Sequence, residues 1–174
     1  MRGFFIRQGR ITPPKPCPAG GAKGVCYNWV QMKYRFLENI ATADVAFEVY
    51  GKTLEELFQN AAEALTAVMV DVATVSPLLN KKLKMKNEKL ENLFLDFLSE
   101  LVYLKDAKQL LFSRFRLKIE KLETGGYSLD ANLWGEKISP QRHKLRSDAK
   151  AVTWHLFKIE KRKSGWLARV VVDI

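Results

Sequence analysis

The chain has 174 residues with 47% hydrophobic and 28% charged side chains, a balance that excludes a disordered or fibrous protein and is enough for one domain with a sizeable core. No apolar run approaches the roughly 20 residues that a membrane span requires. The formal charge is +10, from 29 Lys+Arg against 19 Asp+Glu, which suits an anionic partner but dictates neither fold nor activity.

That charge is unevenly placed. Residues 1–31 contain Arg2, Arg7, Arg10, Lys15 and Lys23 and no acid, so half of the net charge lies there. The stretch ITPPKPCPAGGAKG (11–24) holds four of the six prolines together with Gly20, Gly21 and Gly24, a composition incompatible with a helix or a central strand. No apolar core of a secretory signal follows Met1, and one Thr without Ser makes a poor transit peptide. Residues 1–31 therefore read as a disordered basic leader, and 32–174 as the folded domain. Met32 stands directly before the first patterned segment, so the leader is expected to be dispensable.

Cys17 and Cys26 both lie in the leader with eight residues between them, too far apart for a zinc-knuckle pair. With only His143 and His155 elsewhere, a His-rich metal site is excluded. The cysteine-free body fits a reducing cytoplasm without disulfides. GGAKG lacks the Ser/Thr and the preceding strand of a phosphate loop.

From Lys33 the periodicities are clear. Val45, Phe47 and Val49 alternate with Ala46, Glu48 and Tyr50, a half-buried strand that stops at Gly51. Thr53-Leu-Glu-Glu56 is a capping box, after which Leu54, Leu57, Phe58, Ala61, Leu65, Val68 and Met69 recur at helical spacing. Lys82–Lys86 reads as a short strand with Leu83 and Met85 inward. Asn87 is placed as the cap of a second amphipathic helix carrying Leu90, Leu93, Phe94, Phe97, Leu98, Leu101 and Val102. Strands follow near 110–120, 127–134, 150–160 and 166–173. Thr124-Gly125-Gly126 and Lys163-Ser164-Gly165 turn the hairpins, and a polar, basic loop spans 135–149. These elements predict an α+β fold: a two-layer sandwich with a mainly antiparallel sheet covered by two helices.

Catalytic candidates fall away on inspection. The body offers no Cys/His or Ser/His nucleophile motif, and His155 sits within an alternating strand. Glu55, Glu56, Glu88 and Glu91 occupy first helical turns, where the helix dipole favours acids. Arg114, Arg116 and Lys118 form a basic stripe. Phe115 alternates toward the core, so the stripe lacks the interleaved aromatics of an RNA platform and reads as a solvated face. Two acids stand out instead. Asp44 enters an otherwise apolar strand, and Asp173 ends the apolar run Ala168–Val172, followed by Ile174 with a terminal carboxylate. If the last strand pairs near residue 44, three carboxylates converge. Hard divalent cations select such oxygen ligands, Ca2+ first because it tolerates irregular geometry, then Mg2+ or Mn2+.

The segments TADVAFEVYGKTLEELFQNAAEAL, DFLSELVYL, LLFSRFRLKIE, LWGE, KAVTWHLFKIEK and WLARVVVDI, in this order, resemble the archease family over roughly 33–174. The resemblance implies a small, cytoplasmic, chaperone-like α+β protein with no catalysis of its own, assisting an RtcB-type RNA ligase in tRNA splicing or RNA repair. That ligase joins 3′-phosphate or 2′,3′-cyclic phosphate ends to 5′-hydroxyls through a guanylylated histidine, and the family promotes guanylylation and turnover. RNA would be met only through the ligase. The resemblance assigns metal-binding roles to Asp44, Asp173 and Ile174, and a ligase-activation role to Lys150 in K-A-V-T. Asn39 stands where the family's E-H-T-A-D places His, in a segment two residues longer. The competing reading is an RNA-binding or chaperone-like module that uses the basic sheet face.

Overall fold

The computed structural model describes residues 33–37, 44–123 and 125–174. The leader with Cys17 and Cys26, Met32, Asn39 and the turn residue Thr124 lie outside the described residues. Along the chain, β1 (Tyr34–Leu37) and β2 (Asp44–Gly51) precede α1 (Leu54–Met69) and a 3-10 turn (Val72–Thr74). Then come β3 (Leu79–Asn87), α2 (Leu90–Lys108), β4 (Leu110–Lys121), β5 (Tyr127–Lys137), β6 (Ala151–Arg162) and β7 (Gly165–Asp173). This is the expected α+β class, with every strand pairing antiparallel. The strands divide between two sheets, of order β1-β2-β7-β6 and β3-β5-β4.

The helices lie between these sheets. α1 packs on β2 and β4, whereas α2 packs on β3 and β6, so one core serves both layers. Phe47 and Val49 of β2, Val170 and Val172 of β7, and Phe115, Leu129 and Leu133 of the smaller sheet are buried in it with the helical Leu and Phe residues. Phe58 of α1 meets Phe94 of α2 edge-on at 4.7 Å, and Phe94 in turn lies 5.8 Å from Phe157 of β6. Aromatic contacts thus link both helices to the larger sheet, where each buried ring removes a large apolar area from water.

Local signals explain most boundaries. Thr53 Oγ1 accepts the Glu56 backbone N–H at 3.2 Å, and Glu56 Oε2 reaches back to the N–H of Lys52 at 2.7 Å, closing the start of α1. Asn87 does not cap α2. It is the last residue of β3, and the cap position belongs to Lys89, which makes no side-chain cap bond. Asn87 instead accepts from the Lys89 N–H and donates to Asp96, so its side chain ties the strand end to the helix nearly two turns in. Residues 135–137 continue β5 rather than opening a loop. The rest of the 138–149 segment is docked: Leu145 bridges Val70, and the Arg146 N–H donates to Met69 O at 2.9 Å. Among the described residues, no helix is long and apolar enough to cross a membrane.

Candidate functional site

Asp44 is the first residue of β2 and Asp173 the last of β7, and the antiparallel register sets them directly opposite each other. Alternation fixes the side they share. Val45, Phe47, Val170 and Val172 turn into the helix-covered core, so the two aspartates project from the other face of the sheet. Both are half-buried, and among the described residues neither makes an ion pair or a side-chain hydrogen bond. Like charges placed directly across a strand pair destabilise it, so this opposition costs the sheet stability unless a cation joins it. Ile174 follows Asp173 at once and packs half-buried against the core.

Lys150 stands on the opposite flank of Asp173. Ala151 is the β6 register partner of Asp173, and the Lys150 backbone N–H donates to Asp173 O at 2.8 Å, while its side chain is exposed. The segment leading to it is held from below by Lys105 of α2. Lys105 is 7% exposed; its ammonium donates to Ala149 O at 2.8 Å and pairs with Asp148 and Asp106. Burial opposes its charge, but hydrogen bonds to Asp106 and Asp148 prevail and raise the Lys105 pKa above its ordinary value. The fold thus brings Asp44, Asp173 and the Lys150 backbone to one end of the β2-β7-β6 triple. Among the described residues, no three His, Cys, Asp or Glu side chains gather as a metal cage. The side-chain donors at this edge are two carboxylates, and residues 38–43 leading into Asp44 lie outside the description.

Two other buried acids contrast with this pair. Glu48 accepts from Arg35, Tyr50 and Arg169, joining β1, β2 and β7. Burial would raise its pKa, yet hydrogen bonds from Arg169, Arg35 and Tyr50 hold it down at about 2. Glu136 accepts from Arg142, from His143 Nε2 at 3.0 Å and from the Ser76 N–H at 2.7 Å, and those bonds, Arg142 first, lower it to about 2. His143 Nδ1 accepts the Ser139 N–H, so its ring proton sits on Nε2 and faces Glu136. These carboxylates are saturated by protein donors and stabilise structure. His155 is exposed on β6. Sequence reasoning missed Lys105 and Glu48 as organising groups because decisive partners lie far away in the chain, Asp148 being 43 residues from Lys105 and Arg169 121 from Glu48. Glu136 and His143 are only seven residues apart but fell in the stretch read as a polar loop.

The description "Archease protein family (MTH1598/TM1083)" matches residues 34–174, the whole of this framework from β1 to the residue after Asp173. The chain belongs to the archease family. Its relatives include Protein archease of Methanosarcina mazei, 41% identical over 142 residues that cover 82% of this chain and 96% of the relative. Protein archease of Pyrococcus abyssi is 42% identical over 134 residues, covering 76% and 94%. The solution structure of Methanobacterium thermoautotrophicum protein 1598 superposes with a TM-score of 0.72 at 34% identity, covering 82% of this chain and 99% of the other. The archease match includes Asp44, Lys150, Asp173 and Ile174.

Proposed function

We propose that this archease is a non-catalytic accessory protein that activates an RtcB-type RNA ligase in tRNA splicing or RNA repair, promoting its guanylylation and turnover in the cytoplasm. The observation that carries the reading is the opposition of Asp44 and Asp173 across β2 and β7, with no cation facing them among the described residues. Their oxygen donors fit a hard divalent ion, Ca2+, Mg2+ or Mn2+, and Ile174 would add its terminal carboxylate. Two or three carboxylates leave much of such an ion's coordination sphere open. Mg2+ in particular is commonly held by one or two carboxylates plus substrate phosphates. When bound, the ion supplies positive charge against the phosphates of a nucleotidyl transfer.

In this reading the protein's own groups position and present. The β2-β7 register keeps the two carboxylates side by side, and the tie from Lys150 to Asp173 holds the lysine next to them, free to meet a phosphate or an acidic surface of the ligase. Asp44→Ala and Asp173→Ala should each abolish ligase activation in a guanylylation assay. Each should leave the far-UV circular dichroism unchanged, since both side chains lie off the core. Added Mg2+, Mn2+ or Ca2+ should raise the Tm of the native protein and not of either variant. Full activation by both variants would sink the reading, and Lys150→Ala should weaken activation without losing the cation-dependent rise in Tm.

A further inference from the structure

The smaller sheet carries a second feature that the carboxylate site does not use. Phe115, Leu117, Leu129, Ala131 and Leu133 turn one face of it into the core, so the alternate residues of β3, β5 and β4 share the other. The register arranges these in cross-strand rows: Asn80–Trp134–Arg114, Lys82–Asn132–Arg116, Lys84–Asp130–Lys118 and Lys86–Ser128–Glu120. Six cations therefore face two carboxylates on one open surface. Lys84 pairs with Asp130 and Lys118 with Glu120, which accounts for both acids. Lys82, Lys86, Arg114 and Arg116 are exposed and make no ion pair among the described residues.

Sequence alternation places Arg114, Arg116 and Lys118 together on one strand and the lysines of Lys82–Lys86 together on another, and finds no aromatic beside the arginines. Pairing with β5 supplies it: Trp134 lies partly exposed on the same face, in the row of Arg114. Cations about 6.7 Å apart along each edge strand, with an indole on the strand between them, have the make-up of a surface that tracks a phosphate backbone and stacks a base. Asn132 and Ser128 add hydrogen-bonding groups within the rows.

We infer that the β3-β5-β4 face binds a single-stranded RNA segment directly, its phosphates on Lys82, Arg114 and Arg116 and one base stacked on Trp134. The choice of RNA over DNA rests on the function proposed above; the charge and the aromatic do not. The face belongs to a different sheet from Asp44 and Asp173, so its use is separable from theirs.

The test uses the full chain without ligase, and fluorescence anisotropy of a labelled single-stranded oligouridylate across a salt series. Charge reversal by Arg114→Glu with Arg116→Glu should weaken binding at least ~10-fold and flatten the slope of log affinity against log salt by about 1.4, roughly 0.7 for each lost phosphate contact. Trp134→Ala should cost on the order of ten-fold, and Trp134→Phe should retain most of the affinity because a ring still stacks. Asp44→Ala should bind the RNA as the native protein does. That result holds whether or not the same variant activates a ligase, so the two readings fail independently. Unchanged RNA affinity in the charge-reversed or Trp134→Ala protein, at unchanged Tm, overturns the inference. Equal affinity for the deoxy oligomer overturns the assignment to RNA. Competition by polyglutamate as effective as by unlabelled RNA overturns it in favour of an acidic protein partner.

Discussion

At the scale of single residues, Glu48 and Asp44 show how one strand carries both a carboxylate satisfied by cationic partners and one that faces another carboxylate. Both project from the same face of β2, four residues apart. Glu48, with 5% of its side chain exposed, is neutralised by two guanidinium groups. Asp44 is opposed by another aspartate. Because the Glu48 pKa falls from 4.5 to about 2 on folding, its contribution is complete above pH 4.5 and disappears as the pH drops through 2. That contribution is about 2 kcal/mol after allowing for the solvent-exposed guanidinium of Arg35. Glu48→Gln should therefore lower stability at pH 7 and flatten the decline between pH 4.5 and 2, read from urea midpoints across the range. A parallel decline of native protein and variant would remove Glu48 from the account. Asp44 and Asp173 stood out in the sequence because each is the acid at the end of an otherwise apolar strand, and the family resemblance singled out the same two positions. Glu48 did not, since an acid at an outward position is ordinary and its arginines arrive from other strands.

Elements were legible wherever a periodic pattern met a stop signal. Thr53 and Glu56 mark the start of α1 by local hydrogen bonds that need nothing from the rest of the chain. Asn87 misleads because its side chain satisfies the same kind of donor from the end of a strand, three residues before the helix begins. The left-handed Gln109 that ends α2 carries φ of 54° without being glycine. Its amide compensates by donating to Lys105 O and Asp106 O, a tertiary-free device that no spacing rule announces. The extension of β5 through Gly135 is likewise invisible in the pattern, yet it is sterically demanding. A Cβ at Gly135 would stand 1.8 Å from Leu111 O, where β4 bulges between Phe112 and Arg114. Neither backbone can yield cheaply, so Gly135→Ala should cost about 3 kcal/mol, measured as a lowered thermal midpoint. A midpoint equal to that of the native protein would show that the two strands can slide apart.

For the whole molecule, the class of fold followed from counting strands and helices, and the hairpin pairs β4-β5 and β6-β7 followed from their turns. The division into two sheets did not. Which strands of a chain share a sheet is decided by long-range pairing, and β2 meets β7 only after the rest of the domain has been traversed. Net charge was uninformative in a related way: half of the +10 sits in residues 1–31, while the register of β3, β5 and β4 gathers cations of the domain beside Trp134. The central place of β7 has a consequence for synthesis on the ribosome. α1, α2 and the β3-β5-β4 sheet lie within residues 54–137 and can pair as they emerge. β2 must wait, one edge unpaired, until residues 165–173 are released to slot between it and β6. A chain ending before Gly165 should accordingly lose its cooperative thermal transition and bind a hydrophobic dye, whereas Asp173→Ala should keep a single sharp transition. Translation thus supplies the last strand and the second aspartate in one event, so a prematurely terminated product has neither a closed sheet nor a carboxylate pair.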